Sequence, residues 1–258
     1  MNSILSEQKD SVCILRLNRP DKFNSFNREM ALLLQSELDK AAKDPSVRAI
    51  MLTGNGKAFC AGQDLGELTG EHAIGIDKIL SEHYNPIVKR IRNIEKPVIA
   101  AVNGVAAGAG ANIALCCDVV LASSSSSFIQ AFSKIGLIPD SGGTYFLPRL
   151  IGWQKASAIM MLADKISPDE ADKLGMVYKV IAAENFEQEA LTIAETLASL
   201  PTRGLAFTKM ALNQSMSQSW EQQLSAEDQL QRMAAQTYDY QEGVNAFLEK
   251  RQPVFKGE

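Results

Sequence analysis

One carboxylate is set apart by its surroundings. In IGLIPDSGGT, residues 135–144, Asp140 lies between a proline and a glycine pair and is flanked by apolar sequence. A carboxyl held in an apolar cleft is desolvated, which favours its neutral form and lifts its pKa into the range where it can take and return a proton near neutrality. Asp140 also reads as a turn aspartate or as the N-cap of a helix starting after Gly142. Two other stretches place small residues where a strand gives way to a helix: FCAGQDL at 59–65 and GAGA at 108–111. Helix starts leave backbone N–H groups unpaired, and glycine or alanine lets a ligand come close to the main chain, so each stretch can face a developing negative charge. Taken singly, small residues at such helix starts are more often simple packing devices.

Competing chemistries lack their signatures. Neither junction carries the GxGxxG or GxxxxGK[ST] pattern of a phosphate-cradling loop, and the GxSxG elbow of a serine hydrolase does not occur. Cys13, Cys60, Cys116 and Cys117 have no CxxC spacing, and His72 and His83 are isolated. Reduced thiols and no metal site are expected.

The elements that must position these residues alternate as in an α/β protein. VCILRL at 12–17 and VRAIMLTG at 47–54 read as strands. Between them Asn27 caps a helix whose Met30, Leu33, Leu34, Leu38 and Ala41 form one apolar face. A long irregular stretch with five glycines, 56–75, has the length of a binding loop. PVIAAVNGVA at 97–106 reads as one buried strand, GAGANIALCC as a turn feeding a short helix, and DVVLAS as a further strand. SSSSS at 123–127 is the strongest breaker. From Trp153 onward the pattern is helical, with Ser167 as a cap, and the final helices, about 219–251, are amphipathic with little core of their own.

With 258 residues, 46% apolar and 22% charged, the chain can bury a sizeable core, and no apolar run approaches the roughly 20 residues of a membrane span. MNSILSEQKD lacks the features of a secretory leader, so a cytoplasmic location without membrane association is expected. A net charge of −4 disfavours a nucleic-acid surface, although Lys89, Arg90 and Arg92, or Lys250 and Arg251, form local basic clusters suited to a small phosphorylated molecule.

Taken in order, FCAGQDL, KPVIAAVNGVAAGAGANIALCCD and FSKIGLIPDSGGT resemble the crotonase superfamily of enoyl-CoA hydratases and isomerases. The similarity runs from LNRPDKFNSFN to EGVNAFLEKRQPVFKG. The resemblance implies an α/β fold, with a crotonase-type spiral of ββα units over 1–200 and a C-terminal helical trimerisation region over 201–258, assembled as a homotrimer or dimer of trimers. The implied substrate is an acyl-CoA thioester, coenzyme A being part of that substrate, with no separate cofactor and no metal.

By this resemblance the N–H groups of Gln63 and Ala109 form an oxyanion hole, and Ala61, Gly62, Asp64, Leu65 and Gly108 belong to the loops that hold the CoA ester. Lys22 and Lys256 are the candidates for its phosphates. Hydratases of the family carry two glutamates, and Asn112 and Phe132 stand at those positions here. Ordinary hydration is therefore expected to be weak. Asp140 stands where isomerase members carry their acid-base carboxylate. Tyr84 and Phe132 are expected either along the acyl pocket or as plain core. NGVAAGAG, AFSKIGLIPD and HYNP narrow the resemblance to the isomerase branch of phenylacetate degradation, which rearranges a ring-epoxidised phenylacetyl-CoA and can shift an enoyl double bond. A hydratase with an atypical site, or a catalytically silent scaffold subunit, are the alternatives.

Overall fold

The structure, a computed structural model, describes residues 2–69 and 73–258; His72 lies outside them. Its long strands are apolar on both faces. In β2 (Val12–Leu17), β3 (Ala49–Gly54) and β5 (Val98–Val102), Val12, Met51 and Ile99 point to one side while Leu15, Leu52 and Ala100 point to the other. Such strands need cover on both sides, which is the condition for a buried parallel sheet. With β7 (Val119–Ser123) and β10 (Lys179–Ile181) they run parallel, and β1 (Ile4–Lys9) joins antiparallel at the edge beside β2. One face packs under α8 (Phe186–Ser199) through Phe186, Ala190 and Ala194. The other meets the larger core, where α1 (Arg28–Lys43) buries Met30, Leu34 and Leu38. Asn27 caps α1 as expected, its Oδ1 accepting from the Met30 N–H at 3.0 Å.

A second sheet of short strands orders as β4 (Ala58–Cys60), β6 (Val105–Ala107), β8 (Ser127–Ile129) and β9 (Lys165–Ile166). Each turn of the spiral thus places one strand in the first sheet and the next in the second: β3 and β4, β5 and β6, β7 and β8. The expected single strand at 97–106 is two strands. Asn103 breaks it, its Oδ1 accepting from the Gly54 N–H at 2.9 Å and its Nδ2 donating to the Gly56 carbonyl at 3.0 Å, so the turn between β5 and β6 is tied to the turn between β3 and β4. The expectation of helix alone beyond Trp153 also needs correction, because β9 and β10 interrupt it.

The helices beyond β6 are α4 (Ala109–Leu115), α5 (Gly143–Ile151), α6 (Trp153–Leu162) and α7 (Pro168–Leu174), and after α8 come α9 (Thr202–Ser215), α10 (Trp220–Ala234) and α11 (Tyr238–Glu249). Lys209 anchors α9. It is 7% exposed, donates to the Ile91 carbonyl at 2.6 Å and pairs with Asp118 at 2.7 Å. The basic clusters are largely spent on such contacts: Arg90 pairs with Asp39, Arg92 with Asp118, and Arg251 with Glu242 and Glu249. All four cysteines are free and buried. Among the described residues no helix is long and apolar enough to cross a membrane.

Lys209→Met leaves Asp118 paired with Arg92 but strips the Ile91 and Lys96 carbonyls of their ammonium donor, so it should lower stability by about 1–3 kcal/mol, read as the urea midpoint with an unchanged slope. An unchanged midpoint would show that α9 is held by packing alone.

Candidate active site

The site begins where β4 ends. Four consecutive residues follow the strand, and three of their amides are occupied: Ala61 donates to the Phe23 carbonyl at 3.0 Å, Gly62 to the Cys60 thiol at 3.4 Å, and Asp64 to the Phe26 carbonyl at 2.8 Å. Among the described residues the fourth amide, that of Gln63, has no partner. The second junction repeats the arrangement. Gly108 donates to the Ile129 carbonyl at 2.8 Å, and Ala109, the first residue of α4, has no partner for its N–H. Neither N–H has a protein partner among the described residues, which leaves each free to donate to a bound group.

Two glycines bring the amides together. Gly62 has φ +93°, a conformation that disfavours residues with a side chain, and an added Cβ would lie 3.1 Å from the Ala107 carbonyl and 3.5 Å from the Ala109 nitrogen. Gly110 packs flush on the Cys60 carbonyl, where a methyl group would overlap it. The start of α4 is therefore pressed against the end of β4. A side-chain chain of contacts then fixes Gln63: Tyr84, at the end of a π-helical stretch (Ile79–Tyr84) leading into α3 (Asn85–Asn93), donates to Gln63 Oε1 at 2.8 Å, and Gln63 Nε2 donates to Glu67 at 3.0 Å. Tyr84 is buried against Phe26, and burial pushes its phenol well above the ordinary range, so it remains a donor.

Both amides border a cavity of about 510 Å³ whose wall is mostly apolar, with Leu65, Leu68, Ile79, Phe132 and Ile138 prominent. Asp140 lines it from the turn before α5. The main chain of that turn is held from two sides, the Asp140 carbonyl accepting from Asn112 Nδ2 at 2.9 Å and from the Gly143 N–H at 2.8 Å. Burial lifts the Asp140 carboxyl to about 6, against a lowering contribution from the Ser141 hydroxyl 2.8 Å from Oδ1. The arrangement presents one half-buried proton acceptor, two main-chain donors, and an apolar space between.

Of the residues singled out in the sequence, Asp140, Gln63, Ala109, Ala61, Gly62, Leu65, Gly108, Tyr84 and Phe132 line this one cavity. Asp64 does not. Its carboxylate pairs with Arg19 at 2.8 Å and accepts from the Gly66 N–H, and these contacts, Arg19 foremost, hold it below the usual carboxylate range. Asp64 is thus a clamp on the loop rather than part of its lining. Lys22 is exposed at the end of the turn Pro20–Lys22, next to Phe23, which supports Ala61. Lys256 sits elsewhere in the fold, its ammonium 4.3 Å from the Tyr238 ring centre and its N–H on Asp239. Sequence reasoning missed Ser141, and it assigned Asn112 only by what it is not. Asn112 is fully buried, with Oδ1 accepting from Gln130 Nε2 at 2.7 Å, and works as a brace between α4 and the Asp140 turn.

The sequence pattern of the family described as enoyl-CoA hydratase/isomerase matches residues 7–258. The chain is 44% identical to the 1,2-epoxyphenylacetyl-CoA isomerase of Escherichia coli, covering 100% of this chain and 99% of that protein. It is 35% identical to the 2,3-dehydroadipyl-CoA hydratase of the same organism, covering all of both. The crystal structure of an enoyl-CoA hydratase from Bacillus anthracis superposes with a TM-score of 0.92 at 33% identity, over 99% of this chain and 100% of that one.

Filling the gap between α4 and β4 should part the two amides. Gly110→Ala is expected to cost about 1–3 kcal/mol in stability and, by misplacing one charge-stabilising donor, about 10²-fold or more in kcat. Thermal unfolding and steady-state kinetics on the folded variant check both; retained kcat would mean that the close approach does not set the donor geometry.

Proposed function

This chain belongs to the enoyl-CoA hydratase/isomerase family and is an enzyme of that family, and from that premise we propose that it is an acyl-CoA isomerase working through a thioester enolate. Asp140 removes a proton from the carbon next to the thioester carbonyl. The electron pair moves onto the carbonyl oxygen, where the Gln63 and Ala109 amides receive the charge, and Asp140 returns the proton at a vinylogous carbon. The double bond moves and nothing is added or lost. In a ring-epoxidised phenylacetyl-CoA the carbon–carbon bond shared by the ring and the epoxide breaks while both carbon–oxygen bonds stay, and Asp140 moves the proton from the carbon next to the thioester to a ring carbon. The substrates proposed are therefore 1,2-epoxyphenylacetyl-CoA, giving oxepin-CoA, and enoyl-CoA esters that undergo a double-bond shift.

The observation that carries this reading is that, among the described residues, Asp140 supplies the one carboxylate lining the cavity. Hydration needs groups that hold and activate water, and at the two positions where the resemblance puts glutamates stand Asn112, whose amide is spent on Asp140 and Gln130, and the buried ring of Phe132. One carboxyl with a pKa near 6 can take up and return the same proton, which suits an isomerisation. Backbone donors are suited to the enolate because they are fixed in place before charge develops, and each is worth about 3–4 kcal/mol in a dry site. The apolar wall favours an apolar acyl group. The proposed active form is a homotrimer or dimer of trimers, a reading supported by the exposed Trp153, Met161, Trp220 and Phe247.

Purified protein should interconvert 3-enoyl- and 2-enoyl-CoA while hydrating crotonyl-CoA only slowly; hydration at hydratase speed with no double-bond shift would refute the isomerase reading. Asp140→Asn should lower kcat about 10²–10⁴-fold while CoA-ester affinity stays within a few-fold. The wild-type kcat/KM should fall as pH drops through about 6, where Asp140 takes up a proton and ceases to be a base.

A further inference from the structure

Ser141 has an unusual backbone. Its φ is +51°, in the left-handed region that side-chain-bearing residues avoid, and it is 2% exposed. Such a residue persists where the surroundings over-determine it, and it commonly marks a working site. Its Oγ lies 2.8 Å from Asp140 Oδ1 and donates to it, and among the described residues no other residue donates to that carboxylate. Closing the turn does not require the hydroxyl, since the Asp140 carbonyl is already held by Asn112 Nδ2 and the Gly143 N–H. The strained conformation thus directs a buried hydroxyl at the side chain of its neighbour, where it commits one oxygen of the carboxylate and leaves the other for a proton.

We infer that Ser141 is the positioning residue for Asp140, fixing the rotamer of the carboxylate and stabilising its ionised form in an apolar cavity. The inference rests on the reading of Asp140 as the base of the proposed reaction. Without the hydroxyl, burial is opposed only by the carboxylate's contact with its own backbone amide, and the carboxyl holds its proton to higher pH. Among the described residues, the other titratable groups lining this space are Tyr84, kept neutral by burial, and Lys134, from the turn Ala131–Ile135. Neither lies within hydrogen-bond distance of the carboxylate.

The test compares Ser141→Ala with Ser141→Gly, both lacking the hydroxyl, the glycine variant also relieving the left-handed strain. In each, the NMR titration midpoint of the Asp140 carboxyl carbon and the acid limb of kcat/KM for enoyl-CoA isomerisation should rise by about one pH unit. Below pH 6 that is about a tenfold loss of kcat/KM, with KM changed less than twofold. An unmoved midpoint in both variants overturns the inference, as does a glycine variant with the wild-type pH profile. The carbon titration needs no turnover: a raised midpoint in a protein that isomerises nothing supports the hydrogen bond and refutes the reaction proposed above.

Discussion

The start of α4 rests directly on the end of β4, with Gly110 against the Cys60 carbonyl and Gly62 against the Ala109 nitrogen, and this contact sets the terms for everything else. It brings two loops 46 residues apart in sequence to one wall and leaves one amide of each unpaired there. The fold satisfies the amides on either side, Gly62 and Asp64 around Gln63 and Gly108 before Ala109, so the two open donors are isolated rather than part of a loose loop. The Tyr84, Gln63 and Glu67 contacts then prevent the first loop from turning its free amide away.

The cavity makes those donors effective. Apolar walls lower the local dielectric, which strengthens any interaction between an N–H dipole and a charge forming nearby and raises the pKa of the carboxyl opposite. The same desolvation favours the neutral form of Asp140. The Ser141 hydroxyl and the residue's own backbone amide oppose it, and the Asn112 brace fixes the main chain from which the carboxylate hangs. Here a structural amide and an aromatic ring stand where the resemblance puts hydratase glutamates.

Much of this was readable from residue patterns, for reasons that differ by element. The central strands are apolar on both faces, and α1 has both its cap and its stripe, so local sequence and tertiary structure agree. β1 escaped notice because only Ile4 of its six residues is buried; it is an edge strand carried by main-chain pairing to β2. The break at Asn103 was hidden inside a continuous apolar run, since what breaks it is a pair of side-chain bonds to Gly54 and Gly56 far upstream. In the site, Asp140, Gln63 and Ala109 were singled out because three weak motifs occur in one order, and the fold places all three along one cavity. Their supports were not, because the Tyr84 to Gln63 and Asn112 to Asp140 contacts exist only after folding, and the Asp64 carboxylate could not be assigned to Arg19 without coordinates.

The central claim is that Asp140 makes and unmakes a carbanion whose charge rests on the two free amides. It is tested most directly by hydrogen exchange at the carbon beside the thioester of a saturated acyl-CoA, incubated with the enzyme in deuterated water and followed by NMR. Enzyme-dependent deuterium incorporation at that carbon is expected, at least about a hundredfold slower with Asp140→Asn. Incorporation at equal rates with and without the Asp140 carboxylate, or none with the wild-type enzyme while it turns over its enoyl substrates, would contradict it.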